Sequence, residues 1–228
     1  MNLPDYYAAM RQAAFLQLGQ GQAELDPLLH SAATDTRRGL TLLARPPAAV
    51  AAAIEAVLAD FRQIEPDQYY YPVSDLHLTV LSIISCYSGF TLDLINPADY
   101  QQAVRRIVES AKPFTIRFAG LTASPGAIIV QGFMVDEGLS ELRNQVRAFF
   151  RHSELQQSID QRYSIQTAHA TVARFTTPLR DPARLMEKIR QYEHCFFGDF
   201  EVQDLELVYN DWYQRAGNTV LLEKYSLG

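Results

Sequence analysis

Two stretches of the chain carry the same four-residue arrangement of reactive side chains: His77-Leu78-Thr79-Val80 and His169-Ala170-Thr171-Val172. Each places a threonine two residues after a histidine, with apolar residues between and after. Five histidines and 12 threonines in 228 residues give a chance expectation of only about 0.26 such pairs. On a strand, residues i and i+2 project from one face about 7 Å apart. Each stretch therefore offers an imidazole beside a hydroxyl. Two such strands facing one groove would surround a phosphate. The hydroxyls donate to non-bridging oxygens, one imidazole takes a proton from the attacking oxygen, and the other returns a proton to the leaving oxygen. An unperturbed pKa of about 6.5 lets neutral and protonated imidazoles coexist near neutrality. The scheme needs no metal or other cofactor, and none is expected. A histidine satisfied by core backbone explains a lone motif better than a matched pair.

Other residues qualify this picture. Arg174 follows His169 by five places, and strict alternation turns it to the opposite face unless the strand bulges or ends there; with that proviso it is a candidate phosphate contact. Tyr69, Tyr70 and Tyr71 precede the first motif and, with Tyr209, are candidates for stacking on a base, Tyr71 above all. Trp212 invites the same suggestion but equally fits a cap on the core. His30, His152 and His194 stand apart from any useful partner. Arg37-Arg38 and Arg105-Arg106 read as solvated pairs. No carboxylate completes a metal-ligand set beside either motif histidine, and there is no glycine-rich phosphate loop or nucleophilic Ser or Cys motif.

The elements that must hold these residues fall into two passages with one order of elements. Residues 1–35 read as a helical extension, with a helix from Tyr6 to Leu18 and a short piece from Leu25 to His30. The first passage, about 38–122, has a strand at Gly39–Ala44, a helix at Pro47–Ile64 and the first motif strand at Leu76–Ser85. Asn96-Pro97 then caps a helix to Ala111, and a strand follows at Phe114–Thr122. The second passage, about 127–209, repeats this order: strand Ala127–Val135, helix Glu137–His152, motif strand Ala168–Phe175, helix from Asp181-Pro182 to His194, strand Phe200–Tyr209. A strand at Asn218–Tyr225 closes the chain. The expected fold is α+β, one bilobal duplicated domain over 36–228 with two antiparallel sheets flanked by helices around a central cleft.

Composition sets outer limits. At 48% hydrophobic and 20% charged, the chain is an ordinary globular protein, with neither disorder nor coiled coil. A net charge of −6 excludes long-range capture of duplex DNA, while a single phosphate needs only a local positive site. No signal peptide or membrane span is expected, so the expected setting is cytoplasmic and the expected state a monomer. Cys86 and Cys195 read as buried apolar side chains.

At the paired tetrads the sequence resembles the 2H phosphoesterase superfamily, named for two His-x-Thr/Ser-x motifs and including 2′-5′ RNA ligase-like proteins and cyclic phosphodiesterases. Looser matches are the lead Ser74-Asp75-Leu76, the run Ala173-Arg174-Phe175 and the closing strands Leu205–Tyr209 and Thr219–Leu227. The resemblance implies metal-independent chemistry on 2′,3′-cyclic or 2′-5′ phosphodiester bonds of a small nucleotide or RNA end. His77 and His169 would then be the acid–base pair, with Thr79 and Thr171 as phosphate ligands. Ala170 is smaller than the family's usual residue, and the N-terminal extension is atypical of its shortest members. A nucleotide- or RNA-binding module with the same cleft but no catalysis is the alternative expectation.

Overall fold

The computed structural model describes residues 2–29, 34–162 and 164–228. Its strands form two antiparallel sheets. The first contains β1 (Arg37–Ala44), β3 (Leu78–Ser88), β8 (Asp204–Asp211) and β9 (Val220–Ser226), in the spatial order β3-β1-β8-β9. The second contains β2 (Tyr69–Tyr70), β4 (Phe114–Ser124), β5 (Ala127–Met134), β6 (Ala170–Arg174) and β7 (Phe196–Val202), in the order β2-β6-β5-β4-β7. The flanking helices are α1 (Leu3–Gly19), α2 (Ala48–Ile64), α3 (Pro97–Val108), α4 (Gly138–His152) and α5 (Pro182–Gln191). This is the α+β class expected from the sequence.

Local chemistry accounts for the helices. Asn96 accepts a hydrogen bond from the Ala98 amide and Asp181 from the Arg184 amide, each followed by proline, so α3 and α5 start where their caps dictate. In α2 the residues Val50, Ile54, Leu58 and Phe61 fall on one stripe and are buried. Among the described residues, no helix is long and apolar enough to cross a membrane.

Three features depart from the sequence reading. The segment read as one strand at Phe200–Tyr209 is two, β7 and β8, divided at Gln203 and belonging to different sheets. No glycine or proline marks the break, but the alternation slips by one place across Gln203-Asp204, from buried Phe200 and Val202 to buried Leu205 and Leu207. Consequently, neither passage builds its own sheet. The last strand of the first passage, β4, pairs with β5 and β7, while β8 pairs with β1 and β9. The extension's second piece is a single 3-10 turn at Pro27–Leu29, and His30 lies outside the described residues. Finally, Tyr69–Tyr70 forms an edge strand on β6.

One glycine allows the second motif to pack where it does. A Cβ on Gly132 of β5 would lie 1.8 Å from the Ala168 carbonyl oxygen, immediately before His169. Its main chain is held by Tyr7 of α1, whose hydroxyl donates to the Gly132 carbonyl and accepts from its amide. Gly132→Ala is expected to destabilise the fold by about 1–3 kcal/mol through displaced backbone, measured as a drop in urea midpoint. A midpoint equal to that of the parent chain would refute the close approach.

Candidate active site

Both motif histidines sit at the entrance to a strand. His77 is one residue before β3, whose Leu78 pairs with Ala44; His169 is one residue before β6, whose Ala170 pairs with Val130. His77, Thr79, His169, Thr171 and Arg174 all line a single cleft between the sheets, which encloses about 940 Å³ with its open mouth included.

A hydrogen bond sets the orientation of each ring. The Nδ1–H of His77 donates to the Asp75 carbonyl at 2.7 Å, which requires its neutral form to turn a bare Nε2 away from that bond. Asp75 is itself anchored, its carboxylate accepting from the Ser74 hydroxyl and the Ala216 amide. His169 Nδ1 lies 2.6 Å from the Thr167 hydroxyl. A hydroxyl can donate or accept, so this ring is free to take either tautomer. Burial lowers the pKa of both histidines to about 4. For His169, neighbouring His77 adds to the effect, followed by Arg143 and Arg174; for His77 the Asp75 hydrogen bond opposes it, while Arg45 and Arg174 reinforce it. The unliganded pair is therefore neutral at pH 7.

Arg174 reaches the cleft because β6 bulges. Thr171 faces Ile129 and Ala173 faces Ile128, leaving Val172 as the extra residue. The bulge resets the alternation and returns Arg174 to the His169 side. Its Nε donates to the Tyr71 hydroxyl at 2.9 Å and its guanidinium lies over the Tyr213 ring at 5.6 Å. Arg174→Ala is expected to raise KM for an anionic substrate about tenfold, with Tyr71→Phe having a smaller effect, both read from initial-rate kinetics. An unchanged KM in Arg174→Ala would remove it from the phosphate contacts.

The tyrosines serve other purposes than stacking. Tyr71 is only 1% exposed and is spent on Arg174, so it offers no face to a base. Tyr69 packs edge-on against it, and the Tyr70 hydroxyl donates to the Glu65 carbonyl. Tyr209 belongs to the face of β8 opposite Asn210 and Trp212, which line the cleft; its hydroxyl donates to the Phe90 carbonyl. Among the described residues the aromatic side chain of the cleft is Trp212, with the Arg37 and Arg162 guanidinium carbons each 5.1 Å from its ring centroid. Arg37 is correspondingly no solvated charge, since it also pairs with buried Asp35 and donates to the Tyr213 hydroxyl.

Sequence reasoning missed Arg162, Asn210 and Gln214 as cleft residues, because they arrive from a loop and a strand end without a motif. Asn210 and Gln214 are 1% and 5% exposed, and among the described residues each buried side-chain oxygen has no hydrogen-bond partner. Of the cysteines, Cys86 lines the cleft but burial pushes its thiol up to about 12, which disqualifies it as a nucleophile. Cys195, expected to be buried, is partly exposed because it sits in the turn leading into β7. Among the described residues, no group of three or more His, Cys, Asp or Glu could hold a metal ion.

Residues 44–213 match the profile of the 2′-5′ RNA ligase superfamily. Among solved structures, TT0787 of Thermus thermophilus matches with a TM-score of 0.59 at 20% identity, over 83% of this chain and 97% of that one. LigT of E. coli, solved in complex with 3′-AMP, matches with a TM-score of 0.51 at 14% identity, over 84% and 98%. ATU0111 of Agrobacterium tumefaciens str. C58, a conserved protein of unknown function, matches with a TM-score of 0.51 at 16% identity, over 82% and 87%. At these identities the likeness is one of fold. No curated protein matches the sequence.

Proposed function

The chain belongs to the 2′-5′ RNA ligase superfamily, and on that footing we propose that it is a metal-independent phosphoesterase acting on a 2′,3′-cyclic or 2′-5′ phosphodiester of a nucleotide or short RNA end. The observation that carries this reading is the convergence of two imidazoles, two threonine hydroxyls and the Arg174 guanidinium on a single cleft.

For a cyclic phosphate the chemistry runs as follows. Thr79, Thr171 and Arg174 hold the non-bridging oxygens. His77 takes a proton from an attacking water through its bare Nε2. The water oxygen bonds to phosphorus, one ribose oxygen leaves, and His169, protonated in the complex, supplies that oxygen's proton. The bond made is P–O to water, the bond broken is P–O to the ribose, and the pair ends with its protons exchanged. Reversal of the same step joins a ribose hydroxyl to the phosphate. The assignment of His77 as base rests on its carbonyl partner, which excludes the other neutral tautomer.

The nucleoside end of the substrate is supported by Trp212, which offers an aromatic surface in the cleft. LigT, of the same fold, is solved with 3′-AMP, a ligand of this chemical class. The test is incubation with each 2′,3′-cyclic nucleotide in the presence of a chelator, with chromatographic detection of monophosphate. Metal-independent product formation supports the reading. Tight binding of the cyclic nucleotide without product would instead make the chain a binding module.

A further inference from the structure

Arg143 carries a positive charge into the interior without a carboxylate partner. It projects from α4, is 2% exposed, and among the described residues its guanidinium donates to main-chain carbonyls alone. Nε donates to Val80 at 2.8 Å, and one terminal nitrogen donates to Thr79 at 2.9 Å and to Thr167 at 2.8 Å. Thr79 and Val80 lie two and three residues after His77. Thr167 lies two residues before His169 and holds that ring by its hydroxyl. A buried cation without a counter-ion is costly, and it persists where several charge-assisted bonds satisfy its donors.

We propose that Arg143 is a positioning residue for the histidine pair: one rigid fork tying the two motif segments together and fixing how far apart their imidazoles stand. The inference rests on the proposed acid–base roles of His77 and His169.

The chemistry of the side chain favours this role. A guanidinium presents several donors in a fixed plane and can bind two separate strands at once, whereas an ammonium is a single point. Other links between β3 and the loop preceding the second motif, including Ser158 to Ile83 and Ser85 and Arg162 to Cys86, occur farther along β3, away from the histidines. The far side of the Thr167 segment is backed by α1. The Tyr7 hydroxyl, fixed on Gly132, also interacts with the Thr167 side chain. The N-terminal extension and α4 thus press on one short stretch of main chain from two directions. The charge of Arg143 also acts on His169 and disfavours its protonation in the empty site.

The experiment compares the full chain with Arg143→Met and Arg143→Lys by turnover of a 2′,3′-cyclic nucleotide, thermal midpoint, and NMR titration of the two imidazoles. Misplacement of reacting groups by about 1 Å costs roughly 100-fold. Arg143→Met is therefore expected to lose about that factor in kcat, with KM within about threefold, at temperatures where it remains folded. Arg143→Lys, which keeps the charge but not the fork, is expected to recover only part of the loss. The His169 titration is expected to move upward in Arg143→Met, and to move less in Arg143→Lys. Normal kcat in Arg143→Lys overturns the proposal, even where Arg143→Met fails to fold. Should the parent chain turn over no cyclic nucleotide, the functional reading has failed on its own account. The ring geometry then decides: the imidazole chemical shifts of both histidines, compared at a pH where the rings are neutral, are expected to differ from the parent in folded Arg143→Lys and Arg143→Met, and shifts equal to the parent's in both variants overturn the clamp.

Discussion

Replacing His77 or His169 by alanine is expected to reduce hydrolysis of a 2′,3′-cyclic nucleotide by about 10²–10⁴ each, the range of a positioned general acid or base. The double variant is expected to lose little more than the worse single one, because the two groups act within one proton relay. Neither change should unfold the chain. Both rings are partly exposed to the cleft, and each retains one structural hydrogen bond through Nδ1, worth about 1 kcal/mol. Chromatographic assay of monophosphate, alongside circular dichroism, measures both quantities. Turnover within tenfold of the parent in either folded variant would remove that histidine from the mechanism.

The second large effect is on pH dependence. Both imidazoles titrate at about 4 in the empty site, mainly through burial. Catalysis requires one neutral and one protonated ring, so kcat/KM, which reports the free enzyme, is expected to rise as pH falls from 8 toward about 5. A phosphate anion between the rings favours protonation. The kcat profile, which reports the complex, is therefore expected to lie at higher pH than the kcat/KM profile. A kcat/KM optimum above pH 7 would contradict the depressed values.

Stability follows the same titration with a definite sign. Between about 6.5 and about 4, the unfolded chain binds protons that the native histidines refuse, so stability falls as the solution is acidified through that window. After allowance for screening by cleft water, the loss is about 1–2 kcal/mol per histidine. Millimolar inorganic phosphate should offset it, and a His77→Asn/His169→Asn variant should flatten it. A thermal midpoint constant from pH 6.5 to 4 would show that the rings protonate freely.

What was legible in the sequence was whatever obeyed a short period. The two His-x-Thr pairs were readable because i and i+2 share a strand face, and α3 and α5 because Asn-Pro and Asp-Pro fix their first turns. Arg174 was legible only conditionally, because the bulge at Val172 that turns it to the cleft depends on the partner strand and leaves no trace in the chain's own pattern. Tyr71 looked available for stacking next to the motif, yet its ring closes the wall behind Arg174. Arg143 did have a signal. Leu139, Leu142, Arg143, Val146 and Phe150 are all buried residues of α4, so the arginine falls within the apolar stripe of its helix. In the sequence alone it resembles its neighbours Arg147 and Arg151, both of which pair with Asp160. The exchange of β4 and β8 was hidden for another reason: strand order is decided by long-range pairing, on which the repeated order of elements is silent.

That exchange has a consequence for the integrity of the molecule. A break at Pro125–Gly126 divides both sheets at once, separating β1 and β3 from β8 and β9, and β4 from β5 and β7. Neither fragment retains a complete layer on which to condense. The two halves of the polypeptide are thus mutual templates, and a nick there should leave a duplex of fragments that associates or falls apart as one.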